Sequence, residues 1–278
     1  MFMYGSSYPV GKLGTNQFSP FLMGVLRSFF LFLAILPFFK FSIPKNNLKQ
    51  LIIFSFSMGV GVYGFVYLAI DFSSFISPII IGAQLSVPFG LILSKFFLDE
   101  VISLKKWLLI ISSFVGIAIV SYDPRFGEEI IGLIFVIFMA FFYAVANILS
   151  RFLKKMNTSD QIGWHSLIGF IVLFSASFFF EENPIQQLYP LNINGLFTAF
   201  HAGIFVSLIG HGGLFYLYRY YPVAVILPFY SLFPIFGIAL TFLIFFEIPG
   251  LYEIIGGIIV IGSVYLIHLQ DNKIKFLK

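Results

Sequence analysis

Two histidines, His201 and His211, lie inside one long apolar run, the second enclosed by Gly210, Gly212 and Gly213. An imidazole with an ordinary pKa of about 6.5 exchanges protons near neutrality, and flanking glycines let backbone or a ligand come close. On an ideal helix their spacing turns the two rings roughly 80° apart, so a shared cavity is not required. The plainer reading is that each hydrogen-bonds a neighbouring helix. His165 and His268 fall at helix ends, where an interfacial role is expected. All twelve Asp and Glu residues map to loops or helix ends. A buried proton exchanger would therefore have to be His211 or His201, since buried carboxylates are the usual relays.

Arg27 falls about seven residues inside an apolar run, roughly 10 Å deep at 1.5 Å per residue. Left alone there, a guanidinium costs several kcal/mol unless it snorkels outward or finds a partner. Asp71, at a nearby turn, is the expected partner in a structural ion pair with Arg27; anion recognition is the other reading. Pro88 and Pro234 fall near the middles of two further runs, where each removes a backbone hydrogen bond and frees a carbonyl. Gln84, Asn147, Tyr230 and Ser231 sit at comparable depth, and Ser6 and Ser7 line the first run. Such neutral donors and acceptors suit a zwitterion or other polar metabolite. The expected binding set is Ser7, Gln84, Asn147, His211 and Tyr230, although each would serve equally to bridge two helices.

The elements that must hold these residues are membrane helices. The chain has 278 residues, 59% hydrophobic and 10% charged, with mean hydropathy +1.00, more apolar surface than a soluble core could cover. Ten runs are expected to be helical: Met1 to Gly14, Pro20 to Phe39, Gln50 to Ile70, Ser74 to Phe97, Lys106 to Tyr122, Ile130 to Phe152, Ile162 to Phe180, Gly195 to Leu217, Pro222 to Phe246, and Leu251 to Leu269. The first reaches only about 21 Å against a hydrocarbon core of roughly 30 Å. Either that crossing is short or the sequence begins inside it. No cleavable leader is evident. With both termini in the cytoplasm, nearly all of the 16 Lys and Arg face that side; Lys12 and Arg125 face the other and Arg27 lies within a helix.

Ser77 to Tyr122 reads as a proline-broken apolar helix, an acidic turn and an apolar helix, and Pro228 to Leu269 repeats it. Pro88 precedes Asp99-Glu100 as Pro234 precedes Glu247. A weaker echo joins Tyr4-Gly5-Ser6-Ser7 and Lys12 to Tyr143-Ala144-Val145-Ala146 and Arg151. The expected fold class is all-α integral membrane, ten transmembrane helices as two inverted five-helix repeats. The expected domains are residues 1–122, 130–269 and a cytoplasmic tail, 270–278. An odd number of crossings per repeat inverts the second copy, which is a plan used by carriers with a midplane site.

Other patterns carry less. Gly59, Gly61 and Gly64 match G-x-G-x-x-G, but lie inside an apolar helix with no preceding strand, so helix packing is expected. Asn157-Thr158-Ser159 fits a glycosylation acceptor, yet falls on the cytoplasmic side. No P-loop, H-E-x-x-H or G-x-S-x-G sequence is present, and there is no cysteine. An ATP engine, a hydrolytic site and thiol chemistry are thereby set aside.

Over nearly its whole length the chain resembles the drug/metabolite transporter superfamily, specifically its EamA-type members. The matching features are Tyr4-Gly5-Ser6-Ser7 with Lys12, Ser19-Pro20 before Arg27, Pro88 to Glu100, the Gly116 region, Asn147 with Arg151, and Pro234 to Glu247. Ala83-Gln84, Ile209-Gly210-His211-Gly212 and Arg219-Tyr220 look like the branch that includes an exporter of O-acetylserine and cysteine. The chain departs from the family pattern in its short first helix and in Asp99, where glycine is common. The resemblance implies a central cavity made by helices one to four and six to nine, and alternating access without ATP. The expected function is a secondary active or facilitative carrier, an exporter of amino acids or similar small polar metabolites. A broad-specificity drug/metabolite exchanger is the alternative; an integral-membrane enzyme or a non-transporting interaction protein comes from other classes. No cofactor or metal is expected. The expected partners are a small-molecule substrate, the lipid bilayer and, optionally, a second copy in a homodimer, with no nucleic acid. The expected location is a bacterial inner membrane.

Overall fold

In hydrocarbon a backbone amide can be satisfied only within its own segment, so long apolar runs become helices. The computed structural model of the protein describes residues 1–98, 101–124, 130–220 and 232–275. Its helices, in order, are α1 (Phe2–Thr15), α2 (Pro20–Ile35, with one tighter turn to Phe38), α3 (Leu48–Asp71), α4 in two pieces (Ser77–Ala83 and Ser86–Leu98) and α5 (Leu104–Ser121). There follow α6 (Ile130–Phe152), α7 (Thr158–Phe180), α8 (193–220), α9 (Phe233–Phe245) and α10 (Leu251–Lys275). Among the described residues there is no strand, and seven helices, α2 to α8, are long and apolar enough to cross a membrane. Phe233–Phe245 and Leu251–Ile267 are shorter apolar helices, and α1 has 14 residues. Large side chains also point outward: Phe38, Phe96 and Phe179 are 66%, 71% and 83% exposed. So much outward apolar surface suits a lipid neighbour rather than water.

Three departures from regular helix have local causes. Pro88 cannot donate to the carbonyl of Gln84, and α4 breaks there: Val87 N donates to Gln84 O at 3.1 Å, and Leu85 N to Gly82 O at 3.0 Å. The helix expected from Ser74 to Phe97 is thus present as two pieces, Ser77–Ala83 and Ser86–Leu98. α3 and α8 each contain a π-helical stretch, Ser57–Val62 and Ala202–His211, set within glycine-containing sequence. Pro234 stands in the first turn of α9 as described; Tyr230 and Ser231 lie outside the described residues. Asp99, Glu100 and Arg125 lie outside them too. At the other end α10 continues through Asp271 to Lys275, past the helix end expected at Leu269.

Packing crosses between the halves of the chain. α2 lies on α7 and α5 on α10; α1 crosses α9 while α4 crosses α6; α3 packs on α6 and α7 while α8 packs on α1 and α2. Glycines allow the closest approaches. A Cβ on Gly5 would stand 2.7 Å from Gly237 N, and one on Gly59 only 2.1 Å from His165 O. Gly61 faces the Phe142 ring and Gly64 the Leu173 side chain, so all three glycines of the G-x-G-x-x-G match serve helix packing.

Candidate functional site

Arg27, on α2, is 2% exposed. Its Nε donates to Ser207 Oγ at 2.9 Å, and its guanidinium carbon lies 4.0 Å from the centre of the Tyr63 ring and 5.9 Å from that of Tyr67. A desolvated cation over an aromatic face gains about 2 kcal/mol, and a charged hydrogen bond about 1.5–3 kcal/mol. Together they offset much of the cost of burying the charge. Among the described residues the guanidinium meets no carboxylate, and Asp71 is exposed at the end of α3. The expected Arg27–Asp71 pair is thus replaced by a tyrosine and serine cradle, because α3 turns Tyr63 and Tyr67 inward from one face while Asp71 follows one turn later. Ser207 is itself fixed: its hydroxyl donates to Ala202 O at 2.9 Å, across the π-helical stretch.

The network continues into α7. Tyr63 Oη lies 3.2 Å from His165 Nε2, and His165 Nδ1 lies 3.0 Å from Gln161 O. A carbonyl only accepts, so Nδ1 carries the hydrogen and the Tyr63 hydroxyl donates to Nε2. His165 is fully buried, against the interfacial place expected for it, because Gly59 and Gly169 bring α3 and α7 together at that level.

A second group gathers around α1. His201 Nε2 lies 3.2 Å from Ser6 Oγ, whose own hydrogen goes to Met3 O at 3.0 Å. The imidazole is therefore the donor at Nε2, leaving a buried Nδ1 with no hydrogen-bond partner among the described residues. The His211 ring stands edge-on to Tyr4 at 4.8 Å and to Tyr143 at 5.7 Å, between α1 and α6. Tyr8, on the same side of α1 as Tyr4, stacks on Phe233 of α9 at 5.9 Å. Ser7 is half-buried and stands outside these hydrogen bonds. Gln84 is fully buried, and among the described residues neither of its amide atoms is hydrogen-bonded, nor is the buried Asn147 Oδ1. Neither is hydrogen-bonded to the histidine and arginine groups among the described residues.

Five buried tyrosines (Tyr4, Tyr8, Tyr63, Tyr67 and Tyr143) thus line an interior that sequence reasoning assigned to amides and histidines. Their signal was the spacing: Tyr4 with Tyr8 and Tyr63 with Tyr67 each recur one helical turn apart. Among the described residues no three His, Asp or Glu side chains converge to hold a metal ion.

The two ends of the bundle are closed differently. At one end Glu181 accepts from Phe21 N and Leu22 N at 2.5 and 3.1 Å, and Glu247 accepts from Ile76 N and Ser77 N, both at 2.8 Å. Each carboxylate takes the orphan amides of a helix start that follows or contains proline, Pro20 in α2 and Pro78 in α4. Lys12 Nζ at that end donates to Ile70 O and Ser73 O, at 3.1 and 2.6 Å, covering the last carbonyls of α3. At the opposite end Asp160 accepts from Lys40 N at 2.8 Å and Trp164 Nε1 donates to Ser42 O at 2.9 Å. Beside them a cleft of about 470 Å³ opens between Ile35 and Phe38, Thr158 and Ile162, and Leu208 to Tyr216.

Helices on this plan, lipid-facing outside and carrying a charged, tyrosine-lined interior, define a multi-pass membrane protein of the transporter class. The chain belongs to the EamA-like transporter family, whose model matches residues 1–122 and 130–269. It is 26% identical over 218 residues to an uncharacterized transporter, YoaV, of Bacillus subtilis (strain 168), covering 70% of this chain and 72% of that one. To a probable amino-acid metabolite efflux pump of Escherichia coli (strain K12) it is 22% identical over 273 residues, covering 95% and 90%. To an S-adenosylmethionine uptake transporter of Rickettsia felis (strain ATCC VR-1525 / URRWXCal2) it is 25% identical over 278 residues, covering 94% and 86%. A solved crystal structure shares the fold, with TM-score 0.65 at 14% identity over 98% of this chain and 96% of that one.

Proposed function

We propose that this protein is a secondary active or facilitative carrier that exports amino acids or similar small polar metabolites by alternating access. The observation that carries the reading is the buried polar interior, contributed by α1, α2, α3, α6, α7 and α8 around Arg27 and His211. The relatives named for amino-acid metabolites and for S-adenosylmethionine support it; S-adenosylmethionine carries an α-carboxylate and an α-amino group. The reciprocal packing, α1 on α9 with α4 on α6 and α3 on α7 with α8 on α2, supports two inverted five-helix repeats and ten crossings. On that topology the Glu181 and Glu247 clasps lie on the outer face, both termini lie in the cytoplasm of a bacterial inner membrane, and the cleft opens inward. Ser7, Gln84, Asn147, Tyr230 and His211 are the proposed lining, Pro88 and Pro234 the helix breaks.

Proteoliposomes screened for uptake of the natural amino acids and common drugs, with and without a pH gradient, test the reading. Saturable flux of one or more amino acids supports it; flux of hydrophobic drugs alone favours a broad-specificity exchanger, and flux of neither overturns transport. Proton coupling through His211 or His201 predicts flux that changes between about pH 5.5 and about pH 8.5 and is lost in His211→Ala. Flux flat across that range, with the variant equally active, points to facilitated diffusion or exchange.

A further inference from the structure

Resting on the transport reading, we infer that Arg27 is the group that recognises the carboxylate of the cargo, so that the site selects acids over their amides and amines. The cradle holds the guanidinium without neutralising it: Ser207 and the rings of Tyr63 and Tyr67 are all uncharged. Among the described residues, the carboxylates at the ends of α3, α7 and α9 are engaged elsewhere or exposed. Glu181 and Glu247 cap helix starts, Asp160 binds the Lys40 amide, and Asp71 is exposed. The charge is also interior: Arg27 is buried, and its partners come from α3 and α8. In a low-dielectric interior one uncompensated cation attracts an anion strongly and repels a cation.

The geometry adds orientation to charge. Ser207 takes Nε and passes its own hydrogen to Ala202 O, and Tyr63 stacks beneath the plane while its hydroxyl is tied to His165. Two sides of the guanidinium are thereby fixed before any ligand arrives, which lowers the ordering cost of a planar, two-toothed contact with a carboxylate. Ser207 and Tyr63 are positioning residues in this scheme. Ser207 lies in the π-helical stretch of α8, an irregular segment able to shift register, so a move of α8 away from α2 exposes the guanidinium to the interior.

The test uses the purified full-length protein and matched probes: leucine, leucinamide and isoamylamine, with the same trio built on threonine and on phenylalanine. Binding is read by ligand-induced thermal stabilisation, and transport of the same compounds by counterflow in proteoliposomes. At least one acid is expected to bind about tenfold to a hundredfold more tightly than its amide, the range of a charged hydrogen bond. Arg27→Gln removes that ratio while amide binding stays, and Arg27→Lys keeps part of it. Should Arg27→Gln fail to fold, Ser207→Ala is expected to raise the KM for acids and leave that for amides unchanged. Equal response to acid and amide in the wild type, no response included, overturns the inference. An acid-to-amide ratio that survives in Arg27→Gln overturns it as well. Acid-selective binding without counterflow leaves the inference standing and overturns transport instead.

Discussion

The carboxylate of Glu247, at the end of α9, rests on the backbone amide of Ser77, at the start of α4, with Oε1 2.8 Å from the nitrogen. Its other oxygen takes Ile76 N, so one side chain ties the two halves of the chain at one end of the bundle. Glu247→Ala leaves two helix-start amides unpaired and is expected to destabilise the protein by about 1–3 kcal/mol, with Glu247→Gln losing less. Thermal unfolding in detergent measures the difference. Because the chain has no cysteine, Ser74→Cys provides a unique label beside the clasp; its modification is expected to speed up when Glu247→Ala is added. Unchanged melting and labelling would show that the clasp contributes nothing.

Gly59 and Gly90 make opposite predictions. At Gly59 a methyl group would collide with the backbone of α7, 2.1 Å from His165 O, whereas at Gly90 nothing lies within 4 Å. Gly59→Ala is expected to abolish most folded protein on size-exclusion chromatography. Gly90→Ala is expected to stabilise, by at most about 1 kcal/mol from helix propensity.

Tyr63→Phe keeps the ring beneath Arg27 but deprives His165 Nε2 of its donor. A loss of about 1–3 kcal/mol in unfolding free energy is expected, and Tyr63→Leu, which removes the ring as well, should lose more. A Tyr63→Phe variant as stable as wild type would mean that the Tyr63 to His165 hydrogen bond is not formed in the protein.

Pro88→Ala returns an amide hydrogen to the carbonyl of Gln84. The variant is expected to straighten α4 and to raise thermal stability, since an interior proline costs a helix about 3 kcal/mol. If the break is part of the working cycle, turnover falls at the same time. Higher stability with undiminished turnover would reduce Pro88 to a packing kink.

Much of the helix layout was legible because hydropathy and length act locally: α6 ends at Phe152, as the apolar run alone predicts. α2, α3 and α5 end within a few residues of expectation. The π-helical stretches were not legible, because a hydrophobic run with glycines fits either winding and only the packing of Gly59 on Gly169 favours one. Arg27 was found by depth, yet its partners were missed. A buried cation in a sequence suggests an opposite charge, while this interior supplies quadrupoles and a hydroxyl from residues that each look apolar or neutral in sequence. His165 was misplaced for a related reason: counting from the end of a predicted helix measures depth along the axis and says nothing of which face a neighbour covers.

The backbone contact between Gly5 and Gly237 bears on how the chain is made. With no side chain between them, α1 and α9 meet almost backbone to backbone, whereas α4 meets α6 through Gly82 against the Val136 side chain. Neither half is therefore a finished object when it leaves the ribosome: α1 is synthesised more than two hundred residues before the helix that completes its packing. Two fragments divided between Tyr122 and Ile130 should accumulate only when synthesised in the same cell, each serving as the other's scaffold.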